Sequence, residues 1–255
     1  MIGAIAGDII GSVHEGAGTK TKQFDLFGPY HRFTDDTVLT VAVADWLLND
    51  SDLVDVLHDY FHRYPQAGYG GSFIQWAGHR RRDPYNSWGN GSAMRVSPVG
   101  FAFDSMQEVL DQAKRTASVT HNHSEGIRGA QATAAAIYLA RTGNEKPAIK
   151  EFIETEFSYG LSETLDEIRE GYQFDVSCQG SVPQSIIAFL EADDYEDAIR
   201  NAISLGGDAD TMACIAGGIA EAYWEVPEQI AQQAMGKLDQ ELQTVVEIFQ
   251  DRFLS

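Results

Sequence analysis

Cysteine is nearly absent: Cys178 and Cys214 are the only two in 255 residues. Neither belongs to a CxxC pair or a Cys/His cluster, which argues against a disulfide framework and a structural zinc site. A reducing cytoplasm is then the simplest home. Basic residues are also scarce, 18 against 38 acids, for a net charge of −20. Such a surface repels phosphate backbones and anionic lipid, so neither nucleic acid nor a membrane is an expected partner, and it tends to hold divalent cations. No run of eighteen apolar residues is present to span a bilayer. The opening "MIGAIAGDIIGSVHEG" is apolar but lacks a basic leader and carries Asp8, a poor match to a signal peptide. Also missing are alternating apolar–polar runs of strand length, low-complexity tracts and Pro- or Ser-rich linkers.

What remains is helical periodicity. Helices are expected over Gly3–Val13, Asp35–Asp50, Ser51–Tyr64, Ser105–Thr120, Ser124–Thr142 and Ala209–Trp224, with others near 147–156, 162–170, 183–191, 195–204 and 227–234. Ser51 or Asp52 is a suitable cap for the second of the 35–64 pair. From Ala231 an apolar stripe runs through Met235, Leu238, Leu242, Val245 and Phe249 in alternating steps of four and three, until Arg252 ends it. It either packs on the protein's own core or joins subunits, so a monomer or weak homo-oligomer is expected. The glycine-rich stretch Pro65–Gly100 reads as a long functional loop. The fold class is therefore all-α, a single compact multi-helix domain over residues 1–255.

Two short acidic clusters stand at helix starts. "RFTDDTVLT" places Thr34, Asp35 and Asp36 in sequence; "SLGGDADTMACIAGG" sets Asp208 and Asp210 around Ala209, followed by Thr211. Each cluster alone is explained by capping and by the helix dipole. Together, four carboxylates beside helices too apolar to be exposed repel one another unless a cation neutralises them. Carboxylate and hydroxyl oxygens are hard ligands, suited to Mg²⁺, Mn²⁺ or Ca²⁺. The two junctions are thus expected to face each other around one or two ions. Glu15, just beyond the first helix, reads on its own as a solvated side chain. His58 and His62, four apart, have no evident third ligand and read as a surface coincidence.

"AGDIIGSVHE", "FTDDTVLT", "GNGSAMRVSPVG", "THNHSEGIRGAQA" and "SLGGDADTMACIAGGIAEAYW", in that order, resemble the ADP-ribosylglycohydrolase family, which includes the dinitrogenase-reductase-activating glycohydrolases. The resemblance implies an all-helical enzyme with two divalent cations, Mg²⁺ or Mn²⁺, in a cleft for ADP-ribose. The partner would be ADP-ribose or an ADP-ribosylated protein or small molecule. By motif, Thr34, Asp35, Asp36, Asp208, Asp210 and Thr211 would hold metal, with Asp210 the best bridging candidate. The same matching changes the reading of Glu15, which would lie near the scissile ribose. Glu15, Asp35 and Asp210 would carry the chemistry, a metal-assisted hydrolysis at the anomeric carbon of the distal ribose. "NSWGNGSAM" resembles the loop around ribose and diphosphate, which assigns Ser87, Trp88, Gly89, Asn90, Gly91, Ser92 and Met94 to the substrate, Trp88 as a stacking surface for adenine. Some relatives carry an acid where this chain has Ser87, so the resemblance does not identify the general acid. Gly70 and Gly71 of "YGGS" would present N–H groups to the diphosphate, and His121 would touch the ligand, with His123 supporting its loop. An ADP-ribose-binding or structural protein without turnover and a metal-dependent phosphoesterase are the alternatives.

Overall fold

The computed structural model describes residues 1–254. Among them the regular structure is entirely α-helical, apart from one isolated antiparallel bridge between Gly89 and Ser177. In chain order the helices are α1 (Ile2–Gly11), α2 (Asp35–Asn49), α3 (Leu53–Arg63), α4 (Gly71–Gly78), α5 (Gly91–Met94), α6 (Ser97–Ala102), α7 (Met106–Ser118) and α8 (Ser124–Arg141). They continue with α9 (Lys146–Phe157), α10 (Leu165–Gly171), α11 (Cys178–Leu190), α12 (Tyr195–Ser204), α13 (Ala209–Trp224), α14 (Glu228–Met235) and α15 (Gln240–Phe253). Caps explain most starts: the side chains of Asp52, Ser105, Ser177, Asp194 and Asp239 each accept a backbone N–H of the first turn. Thr164 and Glu167 close a reciprocal capping box. No helix is long and apolar enough to cross a membrane.

The centre of the molecule is the antiparallel pair α1 and α13. Every residue of α1 is buried, so its first-turn donors need an internal acceptor. The Glu221 carboxylate of α13 provides one, accepting from Ile2 N at 3.1 Å and Gly3 N at 2.9 Å. Gly3, Gly7 and Gly11 recur every four residues on the face turned to α13. A Cβ there would lie 2.5 Å from Gly217 O, 2.1 Å from Ala213 O and 2.4 Å from Asp210 Cα, respectively. The two backbones touch, and Asp8 and Gly11 near the end of α1 are drawn against the acidic start of α13. Gly7→Ala should therefore force the pair apart and cost at least about 3 kcal/mol. Urea denaturation would measure this, and an unchanged midpoint would contradict the backbone contact.

Four sequence expectations need correction. The stretch Pro65–Gly100 is not one loop: it contains α4, α5 and most of α6. Phe73, Trp76 and Ala77, at helical spacing, bury one face of α4 on the core, and the flanking glycines hide that period. The helix expected from 183 starts at Cys178 and carries Pro183 inside it, because Ser177 caps five residues earlier than the proline suggested. The C-terminal stripe is broken at 236–239, where Asp239 starts a new helix. Leu242, Val246 and Phe249 are its buried residues, and α15 packs on α2 of its own chain. His58 is likewise no surface residue: it is buried, its ring 4.4 Å from that of Trp76, while His62 Nδ1 bonds back to His58 O.

Candidate functional site

The starts of α2 and α13 meet at the end of α1. Carboxylate oxygens of Asp8, Asp36 and Asp210 lie within 4.8 Å of one another, as do those of Glu15, Asp208 and Asp210. Asp210 is common to both groups. Across the junction Thr211 Oγ1 is 3.3 Å from Asp36 Oδ2, although 175 residues separate them. Gly206, at φ 69°, turns the chain sharply before this cluster. Asp208 is anchored by Asn90 Nδ2, which donates to its Oδ2 at 2.7 Å and also reaches Ser181 Oγ at 3.2 Å.

Asp8 is the acid that pattern reading missed, because a lone aspartate in an apolar helix carries no distinctive spacing. It is fully buried and accepts from Thr34 N (2.9 Å), Thr34 Oγ1 (2.6 Å), Thr37 N (3.1 Å) and Thr37 Oγ1. A hydroxyl has one proton. With that of Thr34 directed at Asp8, its oxygen accepts from Asp36 N at 3.3 Å and has no proton left for Asp36 Oδ2, 3.4 Å away. That separation, like the 3.3 Å to Thr211, is longer than an ordinary hydroxyl hydrogen bond. Asp36 Oδ1 is buried with no hydrogen-bond partner among the described residues.

The electrostatics follow from six carboxyls in one place. Burial, then the charge of Asp8, pushes Asp35 up to about 8. Burial, then Asp210 and Asp8, drives Asp36 well above the ordinary carboxyl range. Asp210 is raised in the same way by burial, then Asp208 and Asp8. Burial raises Asp208 against the pull of Asn90. At the rim Glu15 is raised by burial and Asp208, and drawn down by Arg32. A set of like charges with an orphaned buried oxygen, beside the hydroxyls of Thr34 and Thr211, fits a hard divalent cation.

These groups form the floor of a cleft of about 330 Å³, within the range of small-molecule sites. Glu15, Thr34, Asp35, Asp36, Gly70, Gly71, Ser87, Gly89, Asn90, Gly91, Met94, His121, Asp208, Asp210 and Thr211 all line it. Two residues assigned to the substrate do not. Ser92 is buried behind the wall, its hydroxyl donating to Gly126 O at 2.6 Å. Trp88 is half exposed outside the lining, because the bridge Gly89–Ser177 directs its backbone toward Cys178. The lining also includes Arg32, Tyr85, Arg95, Phe174 and Val176, which no motif singled out. Phe174 and Val176 are exposed apolar side chains at the mouth.

Comparison with known proteins agrees with this architecture. The solved structure titled "ADP-ribosylglycohydrolase-related protein complex" superposes with a TM-score of 0.70 at 22% identity, covering 98% of this chain and 96% of that one, which is a likeness of fold. The chain is 29% identical to ADP-ribosylhydrolase ARH3 of Mus musculus, over 98% of this chain and 91% of that protein. It is 28% identical to the Bos taurus protein of the same name, over 92% and 87%. To the ADP-ribosylarginine hydrolase Tri1 of Pseudomonas putida (strain GB-1) it is 24% identical, over 95% and 76%. The sequence model of the ADP-ribosylglycohydrolase family matches residues 1–254, end to end across the helices that build the cleft, and the chain belongs to that family.

Proposed function

We propose that the protein is a metal-dependent hydrolase that cuts the N- or O-glycosidic bond at the distal ribose of ADP-ribosylated proteins or small molecules. The observation that carries this reading is the convergence of Asp36, Asp210 and Thr211 on the floor of a cleft, with Asp36 Oδ1 buried and unpartnered. Thr34, Asp35, Asp36, Asp208, Asp210 and Thr211 would hold two divalent cations, Mg²⁺ or Mn²⁺. Bound there, the cations supply Lewis-acid stabilisation of negative charge on ribose oxygens. Asp8 fixes Thr34 and Thr37 beneath them, and Asn90 fixes Asp208. Glu15 stands at the exposed rim with its carboxyl raised. It takes the proton of the water that attacks the anomeric carbon and returns it to the nitrogen or oxygen that departs as the glycosidic bond breaks. The N–H groups at the start of α4, where Gly70 and Gly71 line the cleft, meet the diphosphate.

A panel of ADP-ribosylated peptides and small molecules, incubated with Mg²⁺ or Mn²⁺ and read by mass spectrometry, tests the reading. Intact ADP-ribose is the expected product. Release of AMP would make the protein a phosphoesterase, and calorimetric binding of ADP-ribose without product would make it a binder. Excess EDTA should stop turnover; undiminished activity in EDTA would end the metal-assisted version.

A further inference from the structure

In the cleft wall, Arg95 is fully buried and forms no ion pair among the described residues. Its Nη2 donates to Thr116 O at 2.8 Å and Thr120 Oγ1 at 2.7 Å, while Nε and Nη1 have no partner. Thr120 Oγ1 is in turn 2.7 Å from His121 Nδ1. A guanidinium only donates; burial lowers Arg95 to about 10, which leaves it protonated at neutral pH. The Thr120 oxygen must therefore accept from Arg95, and its single proton is free to go to His121 Nδ1. The Tyr85 phenol also lies beside Thr120, but a phenol oxygen carrying its own proton is a weaker acceptor than an imidazole nitrogen. His121 is kept neutral by burial, then by the charge of Arg95. A neutral imidazole that accepts at Nδ1 carries its proton on Nε2.

His121 Nε2 has no hydrogen-bond partner among the described residues and rests against the cleft wall. A Cβ on Gly91 would lie 3.1 Å from it, so a side chain there would have to displace the ring by a few tenths of an ångström. We propose that Arg95, acting through the Thr120 hydroxyl, is a positioning residue that locks His121 in the Nε2–H tautomer, so that the cleft presents a hydrogen-bond donor to an oxygen of its ligand. With ADP-ribose as ligand, which rests on the reading above, that oxygen belongs to the diphosphate or a ribose.

Nitrogen and carbon NMR of histidine-labelled protein, with His121 assigned by its disappearance in His121→Gln, reads the tautomer directly. The parent should show a proton on Nε2. Thr120→Ser should keep that state, whereas Thr120→Val should give a mixture of tautomers. Arg95→Lys should preserve the lock and Arg95→Met should loosen it. Loss of the fixed donor should weaken ADP-ribose binding about ten-fold in Thr120→Val, with recovery in Thr120→Ser. A proton on Nδ1 in the parent overturns the proposal even if the valine variant does not fold. So does an unaltered Nε2–H signal in Thr120→Val. The tautomer is read without ligand, so failure of the parent to bind ADP-ribose would count against the glycohydrolase reading alone.

Discussion

Asp36→Asn and Asp210→Asn should each lower turnover by about 10³-fold or more while leaving the helical circular dichroism spectrum intact. The size follows from the several kcal/mol of charge stabilisation that a cation supplies at a hydrolytic centre, about 1.4 kcal/mol per factor of ten. The distinguishing sign is in stability. Burial and Asp210 raise the Asp36 carboxyl, burial, Asp208 and Asp8 raise that of Asp210, and Asp36 Oδ1 has no partner among the described residues. An amide there removes a like charge and adds two donors amid carboxylate acceptors. In EDTA the variants should therefore be as stable as the parent or gain roughly 1 kcal/mol, the scale of relieving a functional site's frustration. Saturating Mn²⁺ should then stabilise the parent and leave the variants unmoved. A variant destabilised in EDTA and still stabilised by Mn²⁺ would mean that these acids serve the fold rather than a cation. Ser87 offers no carboxyl for proton transfer at the mouth, so Glu15→Gln should also be slow, with cation-induced stabilisation retained if it acts on protons rather than metal.

The fold was legible where periodicity was clean. "DDTVLTVAVADWLLND" and "SEGIRGAQATAAAIYLART" became α2 and α8 within one residue at each end. Residues 65–100 were not legible, because glycine at both ends of α4 looks like loop until the burial of Phe73, Trp76 and Ala77 is known. Of the proposed cation-binding residues, the clustered ones could be found from sequence: a hydroxyl beside two acids at a helix start is more than a cap requires, and the meeting of the two helix starts could be argued from the charge of their four carboxylates. Asp8 could not, since its role depends on the glycine-lined contact of α1 with α13, a tertiary fact. Arg95 was hidden for the same reason. A charged residue between Met94 and Val96 reads as surface, and only packing against Thr116 and Thr120 turns it inward.

The stabilisation by Mn²⁺ or Mg²⁺ should grow steeply with pH. An acid whose folded pKa exceeds its unfolded value holds its proton longer in the folded chain. Its contribution to stability is complete below the unfolded value and is lost as pH rises through the folded one. For Asp35 that window runs from 3.8 to about 8, and Asp36 and Asp210 are displaced in the same direction. The cation-free protein should therefore lose stability progressively from about pH 4 to pH 8. A divalent ion needs the ionised carboxylates, so it competes with these protons, and its affinity rises over the same interval. At a hundredfold excess over Kd the gain is about 2.7 kcal/mol, or roughly 5–10 °C in Tm for a chain of this size. Calorimetric scans should show that shift near pH 8 and almost none near pH 5. In Asp36→Asn and Asp210→Asn the shift should be small at both. Adventitious binding to the acidic surface makes the opposite forecast, because exposed carboxylates are already ionised at pH 5 and the variants keep nearly all of them. An equal shift at both pH values, shared by the variants, would locate the cation on that surface and remove it from the cleft.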